Sequence, residues 1–234
     1  MKNSKLRRAL LLLASAVLLV SLSVGATLAY LTSTDEVKNT FTVGQVKILL
    51  DEADVYELGD DGATRENLGK NKTDAPRVDK NSYKFMPGHD LDKDPKVTVQ
   101  AGSEDCYVRV MVTVTRFADL KLAMGITDDD DAAAKLATYI TGYNDAQFDD
   151  NGWTYGADSV TYEFRVTGIV LASTSDQYFT LFTGIEVPDD MNNEQLEYLK
   201  SAEGEEDMTI TAVAHAIQAD GFADADAAWA AFEE

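Results

Sequence analysis

Hydrophobic and polar residues alternate along several stretches of the chain, which is the pattern of half-buried β-strands. The alternation is strictest over residues 106–116, where Cys106 and four valines share one face and polar or bulky side chains share the other. This pattern predicts a strand of an antiparallel sheet with one face in the core. Similar patterns predict five further strands, over residues 40–50, 96–100, 160–171, 178–187 and 208–218.

Helices and turns are predicted between these strands. The segments with a helical pattern are 132–141, preceded by the acidic run 128–131, then 192–202 and the Ala-rich 223–232. Acidic residues before a helix suit its dipole. Turns are predicted at Met86-Pro87-Gly88 and Ala101-Gly102-Ser103, a hairpin turn at Asn151-Gly152, and a long loop with one weak strand over 51–80.

These elements predict an all-β fold. The strands occur at irregular spacing, the loops are long, and the βαβ alternation that a parallel sheet needs is absent. We therefore expect an antiparallel β-sandwich with short helical insertions.

The N-terminus has the order of a secretory signal peptide, with a basic region, an apolar run over residues 9–20 and small residues after it. We expect residues 1–29 to be removed by cleavage between Ala29 and Tyr30. The apolar run is too short for a confident membrane span. The expected mature chain is secreted to the extracellular matrix or cell surface, with signal peptidase as its partner during export and membrane contact only before cleavage.

The charge of the chain excludes several classes of partner. Twenty Lys and Arg against 41 Asp and Glu give a formal charge of −21. Residues 1–29 carry four basic and no acidic side chains, so the mature charge is 16 − 41 = −25. Nucleic acid and anionic lipid both repel such a chain. One cysteine cannot form an internal disulfide.

Several segments together resemble one family, the TasA/camelysin-like secreted proteins with a SipW-type signal peptide. The segments that carry the resemblance are 25–32, 39–46, Met86-Pro87-Gly88, Lys93-Asp94-Pro95, Val97-Thr98-Val99, 105–115 and 214–222. The resemblance implies a jelly-roll-like β-sandwich that a dedicated signal peptidase exports from a bacterial cell. It also implies a structural subunit of extracellular biofilm-matrix fibres or of a surface layer, which binds itself or related subunits.

The resemblance further implies assembly by donor-strand addition, in which the N-terminal segment of one subunit completes the sheet of the next. The chain would then consist of the signal peptide 1–29, a strand segment 30–50, and a β-sandwich domain 51–234 with a C-terminal helix. An added strand fills alternate side-chain pockets. The candidate side chains are Phe41, Val43, Val46, Ile48 and Leu49. The alternative, in which residues 41–50 are the first strand of the chain's own domain, stays open here.

Camelysin relatives have been described as metalloproteases, so zinc is the first cofactor to consider. The His-Glu-x-x-His signature is absent; His89 lies beside a Pro-Gly turn and His215 lies in a predicted strand. We expect no enzyme activity, no catalytic residue and no cofactor. A surface metalloprotease and a monomeric binding module are the alternatives.

Three further groups have both a structural and a functional interpretation. The acidic residues 128–131, and Asp145 with 149–152, offer oxygen ligands for weak calcium binding, but lack the spacing of an EF-hand. Cys106 is expected to be a buried small hydrophobe. Aromatic residues could form a carbohydrate platform, although packing is the favoured interpretation. These aromatic residues are Trp153, Tyr155, Tyr178, Phe179 and Phe182.

Overall fold

The computed structural model describes residues 45–55, 74–81, 83, 87–189, 191–200 and 207–232. Within these residues the chain forms antiparallel sheets with four short helices, so the predicted all-β, sandwich-like class is confirmed. The strands are β1 Ile48–Ala53, β2 Arg77–Val78, β3 Asp90–Asp92, β4 Lys96–Val99, β5 Cys106–Thr115, β6 Ile140–Thr141, β7 Phe148–Tyr155, β8 Ser159–Val166, β9 Gln177–Thr180, β10 Gly184–Glu186 and β11 Ile210–Gln218. The helices are α1 Phe117–Met124, α2 Asp129–Ala137, α3 Asn193–Leu199 and α4 Ala225–Phe232.

β5 lies at the centre of the larger four-stranded sheet, whose order is β11-β5-β8-β7. Its face with Cys106 and the four valines is buried, as the alternation predicts. The opposite face was predicted to be exposed, but Tyr107 and Arg109 on it are also buried. Trp229 of α4 packs against this part of the sheet, in one cluster with Tyr107. The C-terminal helix therefore gives the sheet a second, smaller core.

A second four-stranded sheet, β2-β1-β4-β9, and a three-stranded sheet, β3-β10-β6, complete the described fold. Val97 and Val99 of β4 lie in the same hydrophobic cluster as the valines of β5. Ile48 and Leu50 of β1 pack against that cluster from their own strand. The main core therefore lies between the two larger sheets.

Two predicted β elements differ from the structure. Asn151-Gly152 is not a hairpin turn but a bulge inside β7, where the register shifts between Asp150 and Trp153 and Gly152 has φ 82°. The hairpin closes later, where the Gly156 amide donates to the Ser159 carbonyl at 2.9 Å. The predicted strand 178–187 is two strands, β9 and β10, in different sheets. The break between them buries Leu181 and Phe182 in the core.

The helix boundaries also differ from the prediction. α2 begins at Asp129, because Asp128 caps it by accepting from the Asp131 amide, so most of the acidic run lies inside the first turn. It ends at Ala137, and the predicted continuation at 140–141 is β6. α1 was not predicted. It follows Arg116, which has a left-handed backbone (φ 56°) and no capping side-chain bond, so the usual start signal is absent.

Candidate functional site

β11 forms one edge of the larger sheet. It pairs with β5 along nine residues, from Ile210 opposite Val114 to Gln218 opposite Cys106. No strand among the described residues pairs with its outer side. A long unpaired edge is a template for another extended chain. This edge is the candidate site.

The ladder between β11 and β5 shows which backbone groups face outward. The Thr115 amide donates to the Thr209 carbonyl at 3.1 Å, and the Ala219 amide donates to the Asp105 carbonyl at 2.8 Å. Hydrogen-bonding pairs alternate along an antiparallel ladder, so the odd-numbered residues of β11 bond to β5. The amides and carbonyls of the even-numbered residues from 210 to 218 therefore point to the outer side.

Two cavities border the first residues of β11. One has a volume of about 70 Å³ and is almost entirely apolar. Its lining includes Val112, Val114, Leu120, Phe182, Met208 and Ile210. The other has a volume of about 140 Å³ and lies between β1 and β11. Its lining includes Leu50, Glu52, Asn81, Lys93, Ile210 and Ala212. Room for side chains of an added strand therefore exists beside residues 208–212, at the start of β11.

A buried ion pair forms one wall of the second cavity. The Lys93 ammonium lies 2.6 Å from a carboxylate oxygen of Glu52, and both side chains are less than a tenth exposed. The Tyr83 ring lies beside the ammonium, 5.5 Å away, and the Tyr83 hydroxyl donates to the Asp92 carbonyl at 3.2 Å. The pair joins β1 to the segment after β3, and its two charges compensate each other.

The predicted assembly residues divide into two groups. Phe41, Val43 and the cleavage junction of Ala29 and Tyr30 lie outside the described residues. Val46, Ile48 and Leu49 are described: Val46 and Ile48 pack on the core, and Leu49 is half exposed on the outer face. Ile48 and Leu49 pair with Val99 and Thr98 of β4 in the same chain. Any segment free to act as a donor in this arrangement precedes Gln45.

The two histidines lie in different parts of the fold. His89 is exposed and precedes β3, where its carbonyl accepts from the Val187 amide at 3.2 Å. His215 lies on β11, and its Nδ1 accepts from Nε of Arg109 at 3.3 Å. Burial, followed by the charge of Arg109, lowers the pKa of His215. No group of three or more His, Cys, Asp or Glu that could hold a metal ion occurs among the described residues.

The acidic residues 128–131 serve α2 and its surroundings. Asp128 caps the helix, Asp129 pairs with Lys121, and Asp130 accepts from the Tyr155 hydroxyl at 2.6 Å. In the second acidic group, Asp150 accepts from the Gly152 amide at 2.8 Å and so stabilises the bulge of β7. These contacts give Asp128, Asp129, Asp130 and Asp150 structural roles.

Cys106 is fully buried, and burial raises the pKa of its thiol to about 11. The thiolate is the reactive form of cysteine, so this residue is an inert core side chain in the folded protein.

The predicted aromatic residues do not form one platform. Tyr155 stacks on Phe117 with ring centroids 5.8 Å apart, and Trp153 packs edge-on against Tyr162. Phe182 is buried, whereas Tyr178 is more than half exposed beneath Lys96. Packing accounts for the positions of Trp153, Tyr155 and Phe182.

Sequence reasoning missed the edge itself. It predicted the strand over 208–218, but alternation does not tell an edge strand from a central one. One feature of the sequence does indicate the edge position of β11. Its inner face carries the small residues Ala212, Ala214 and Ala216, which leave space beneath the strand.

Comparisons with protein families, with curated proteins and with solved structures give no match to the chain. None of the helices in the described part of the chain is long and apolar enough to cross a membrane.

Proposed function

We propose that this chain is a secreted structural subunit of an extracellular matrix fibre or surface layer that assembles by strand addition. The outer edge of β11 would accept residues 30–44 of a neighbouring subunit. The observation that supports this proposal is the nine-residue edge, unpaired among the described residues, beside two cavities that open between the sheets. The proposal includes the jelly-roll-like topology that the family resemblance implies, with which the antiparallel sheets agree.

The donor in this proposal is shorter than residues 30–50, because β1 already pairs with β4. Residues 30–44 would span roughly 50 Å when extended. The nine residues of β11 span about 30 Å. The segment is therefore long enough to pair along the whole edge, with Phe41 and Val43 among the side chains that would enter the space between the sheets.

Assembly of this kind gives a fibre. The donor segment and the acceptor edge are different surfaces of the subunit. Each subunit therefore binds one neighbour through its donor segment and a second neighbour through its acceptor edge. Such a head-to-tail contact builds filaments when it does not close into a ring. The mature charge of −25, which is 16 − 41, makes the subunits repel each other. Salt screens this repulsion, so assembly should be faster at higher ionic strength.

The test compares two forms of the protein, residues 30–234 and residues 45–234, by size-exclusion chromatography and electron microscopy. The second form begins before β1, so it keeps every described strand. Filaments of the first form alone would support the proposal. Folded monomers of both forms at all concentrations and salt conditions would contradict it.

A pair of proline variants identifies the acceptor edge. Ala214→Pro removes an outward amide of β11, and proline is tolerated at such edge positions. Asp150→Pro is the control on β7, at the opposite edge of the same sheet, and Asp150→Ala is measured beside it because both variants lose the bond that the Asp150 carboxylate accepts from the Gly152 amide. The Thr167 amide donates to the Gln147 carbonyl, so the amide of Asp150 also points away from its neighbour β8. Filament loss with Ala214→Pro alone is expected; loss with Asp150→Pro alone would place the acceptor at β7.

A further inference from the structure

We propose that copies of this chain also contact each other end to end, with Leu171 of one copy inserted into the apolar cavity of the next. This cavity is the one beneath the start of β11, and Val114 and Ile210 are part of its lining. The contact goes beyond the proposed function, because it requires no strand addition and involves only described residues. The second cavity, between β1 and β11, remains for side chains of an added strand.

The loop after β8 holds two exposed apolar side chains in a fixed position. Val170 is buried and exchanges both backbone hydrogen bonds with the first residue of β5, at 2.8 and 3.0 Å. Ile169 and Leu171, on either side of it, are 46% and 64% exposed. The Ala172 amide donates to the Asp105 carboxylate at 2.6 Å, which fixes the end of this loop. Successive side chains of an extended segment point to opposite sides, so Ile169 and Leu171 both face away from the core.

The apolar cavity has the size of one aliphatic side chain. Its volume is about 70 Å³, which is roughly half that of the 150 Å³ cavity that holds a benzene ring. A leucine side chain therefore suits it better than an aromatic ring. Met124, Met191 and Met208 belong to its lining, and methionine adapts its shape to a neighbouring group. Glu186, also in the lining, is exposed, so the cavity reaches the surface.

The loop and the cavity lie at opposite ends of the larger sheet. Val170 pairs with Cys106 at the start of β5, whereas Val112 and Val114, near the end of β5, line the cavity. The strand from Cys106 to Val114 spans roughly 27 Å. Leu171 therefore cannot reach the cavity of its own subunit, and its partner is the cavity of a second copy. Because the two surfaces are different, the contact is head-to-tail and repeats along a fibre when it does not close into a ring.

The charges around the two surfaces are compatible with this contact. The loop carries a carboxylate at its base, that of Asp105. The cavity has charges of both signs beside it, since Glu186 lies in the lining and the Lys135 ammonium lies 5.2 Å from the centre of the Tyr139 ring, which is also in the lining. In a chain with a formal charge of −21, a surface with a cation repels an acidic partner less than the rest of the molecule does.

The first test measures the lowest protein concentration at which residues 30–234 form filaments. Burial of a leucine side chain changes an equilibrium by roughly 10- to 150-fold. Leu171→Ser should therefore raise this concentration tenfold or more, and so should Met191→Trp, which places a large ring at the cavity. Leu49→Ser is the matched control, because Leu49 is 48% exposed and lies on β1 in the other large sheet. Equal values for Leu171→Ser and this control would overturn the inference.

The second test is cross-linking, which needs no filaments. Ala172→Cys lies beside Leu171 and Glu186→Cys lies at the cavity; both variants of residues 30–234 also carry Ala214→Pro to block strand addition. The native Cys106 is buried and does not compete for the reagent. A bismaleimide should link the two variants when they are mixed at high concentration and high salt, and should link neither variant to itself. A mixture of Ala172→Cys with Thr154→Cys, an exposed position on β7, is the control.

The outcomes separate the end-to-end contact from strand addition. Cross-linked dimers in the first mixture alone, without filaments of residues 30–234 under any condition, would support the contact and contradict the proposed function. A yield of dimer no higher than in the control mixture would overturn the contact. Filaments that are lost with Ala214→Pro but unaffected by Leu171→Ser would overturn the contact and still support strand addition.

Discussion

The buried ion pair between Lys93 and Glu52 gives the sharpest prediction for stability. The two side chains are 7% and 9% exposed, and the ammonium nitrogen lies 2.6 Å from the carboxylate oxygen. Lys93→Met removes one charge and leaves the Glu52 carboxylate buried beside a cavity without its counter-ion. Breaking a buried pair from one side costs about 3–5 kcal/mol. A domain of this size is stable by about 5–15 kcal/mol in total, so much of its stability should be lost.

The double variant Lys93→Met/Glu52→Met tests whether the loss comes from the unpaired charge. Removing both charges also removes the cost of desolvating them, and such replacements are often neutral or stabilising by about 1–4 kcal/mol. The double variant should therefore be more stable than the single variant. A matched control is Lys200→Met, which breaks the exposed pair of Lys200 with Glu197. Exposed pairs contribute about 0–1 kcal/mol, so little change is expected there.

The assay is urea unfolding of residues 45–234 at 25 °C and pH 7, followed by circular dichroism. Lys93→Met is expected to be the least stable form or to be unfolded, and the wild type, the control and the double variant should all be clearly more stable than it. A Lys93→Met variant within about 1 kcal/mol of wild type would refute the assigned burial of this pair. A double variant no more stable than the single variant would show that lost packing, rather than an unpaired charge, sets the cost.

Three further predictions concern other described residues. Burial and the charge of Arg109 lower the pKa of His215, so below about pH 6.5 the unfolded chain binds more protons than the folded chain. The protein should therefore lose stability as the pH drops below that value. In thermal melts between pH 7 and 5, His215→Gln should make the decrease in melting temperature smaller. Tyr162→Phe removes the hydroxyl that donates to the buried carbonyl of Ala133 at 2.7 Å. The free energy of unfolding, measured in urea, should decrease by about 1–3 kcal/mol. An unchanged free energy of unfolding would contradict this hydrogen bond. Cys106, with its pKa raised to about 11, should react with a thiol reagent only in denaturant, and rapid labelling of the native protein would contradict its burial.

Strand patterns were the most predictable part of the fold. In β5 and β8 the residues of the predicted inner face are all buried. They were predictable because one face of each strand contacts the main core, so apolar residues occur at every second position. The bulge at Gly152 and the break after Thr180 were not predictable in the same way. Asn-Gly favours positive φ in a bulge as well as in a hairpin turn, so the sequence does not distinguish the two. For residues 178–187, a continuous apolar run does not show that the strand ends at Thr180 or that Leu181 and Phe182 lie in the core between two strands.

The candidate site was predictable only in part. The strand over 208–218 follows from the alternation of its residues. Phe41 and Val43 lie outside the described residues, so their role in assembly stays a prediction. Which strand is an edge depends on its neighbours, and those are set by contacts between residues far apart in the sequence. The placement of Ile48 and Leu49 on β1, paired with β4, likewise depends on residues about 50 positions away.

By itself the sequence determined the all-β class, most of the strands, the acidic surface and the inertness of a lone core cysteine, since each depends on local alternation or on composition. The tertiary structure alone decided that Arg109 is buried beneath Trp229, that Lys93 meets Glu52, and that no described strand pairs with the outer side of β11. These features depend on contacts between residues that are far apart in the sequence. Period-two alternation predicts whether a side chain is buried, but it does not predict which part of the chain buries it.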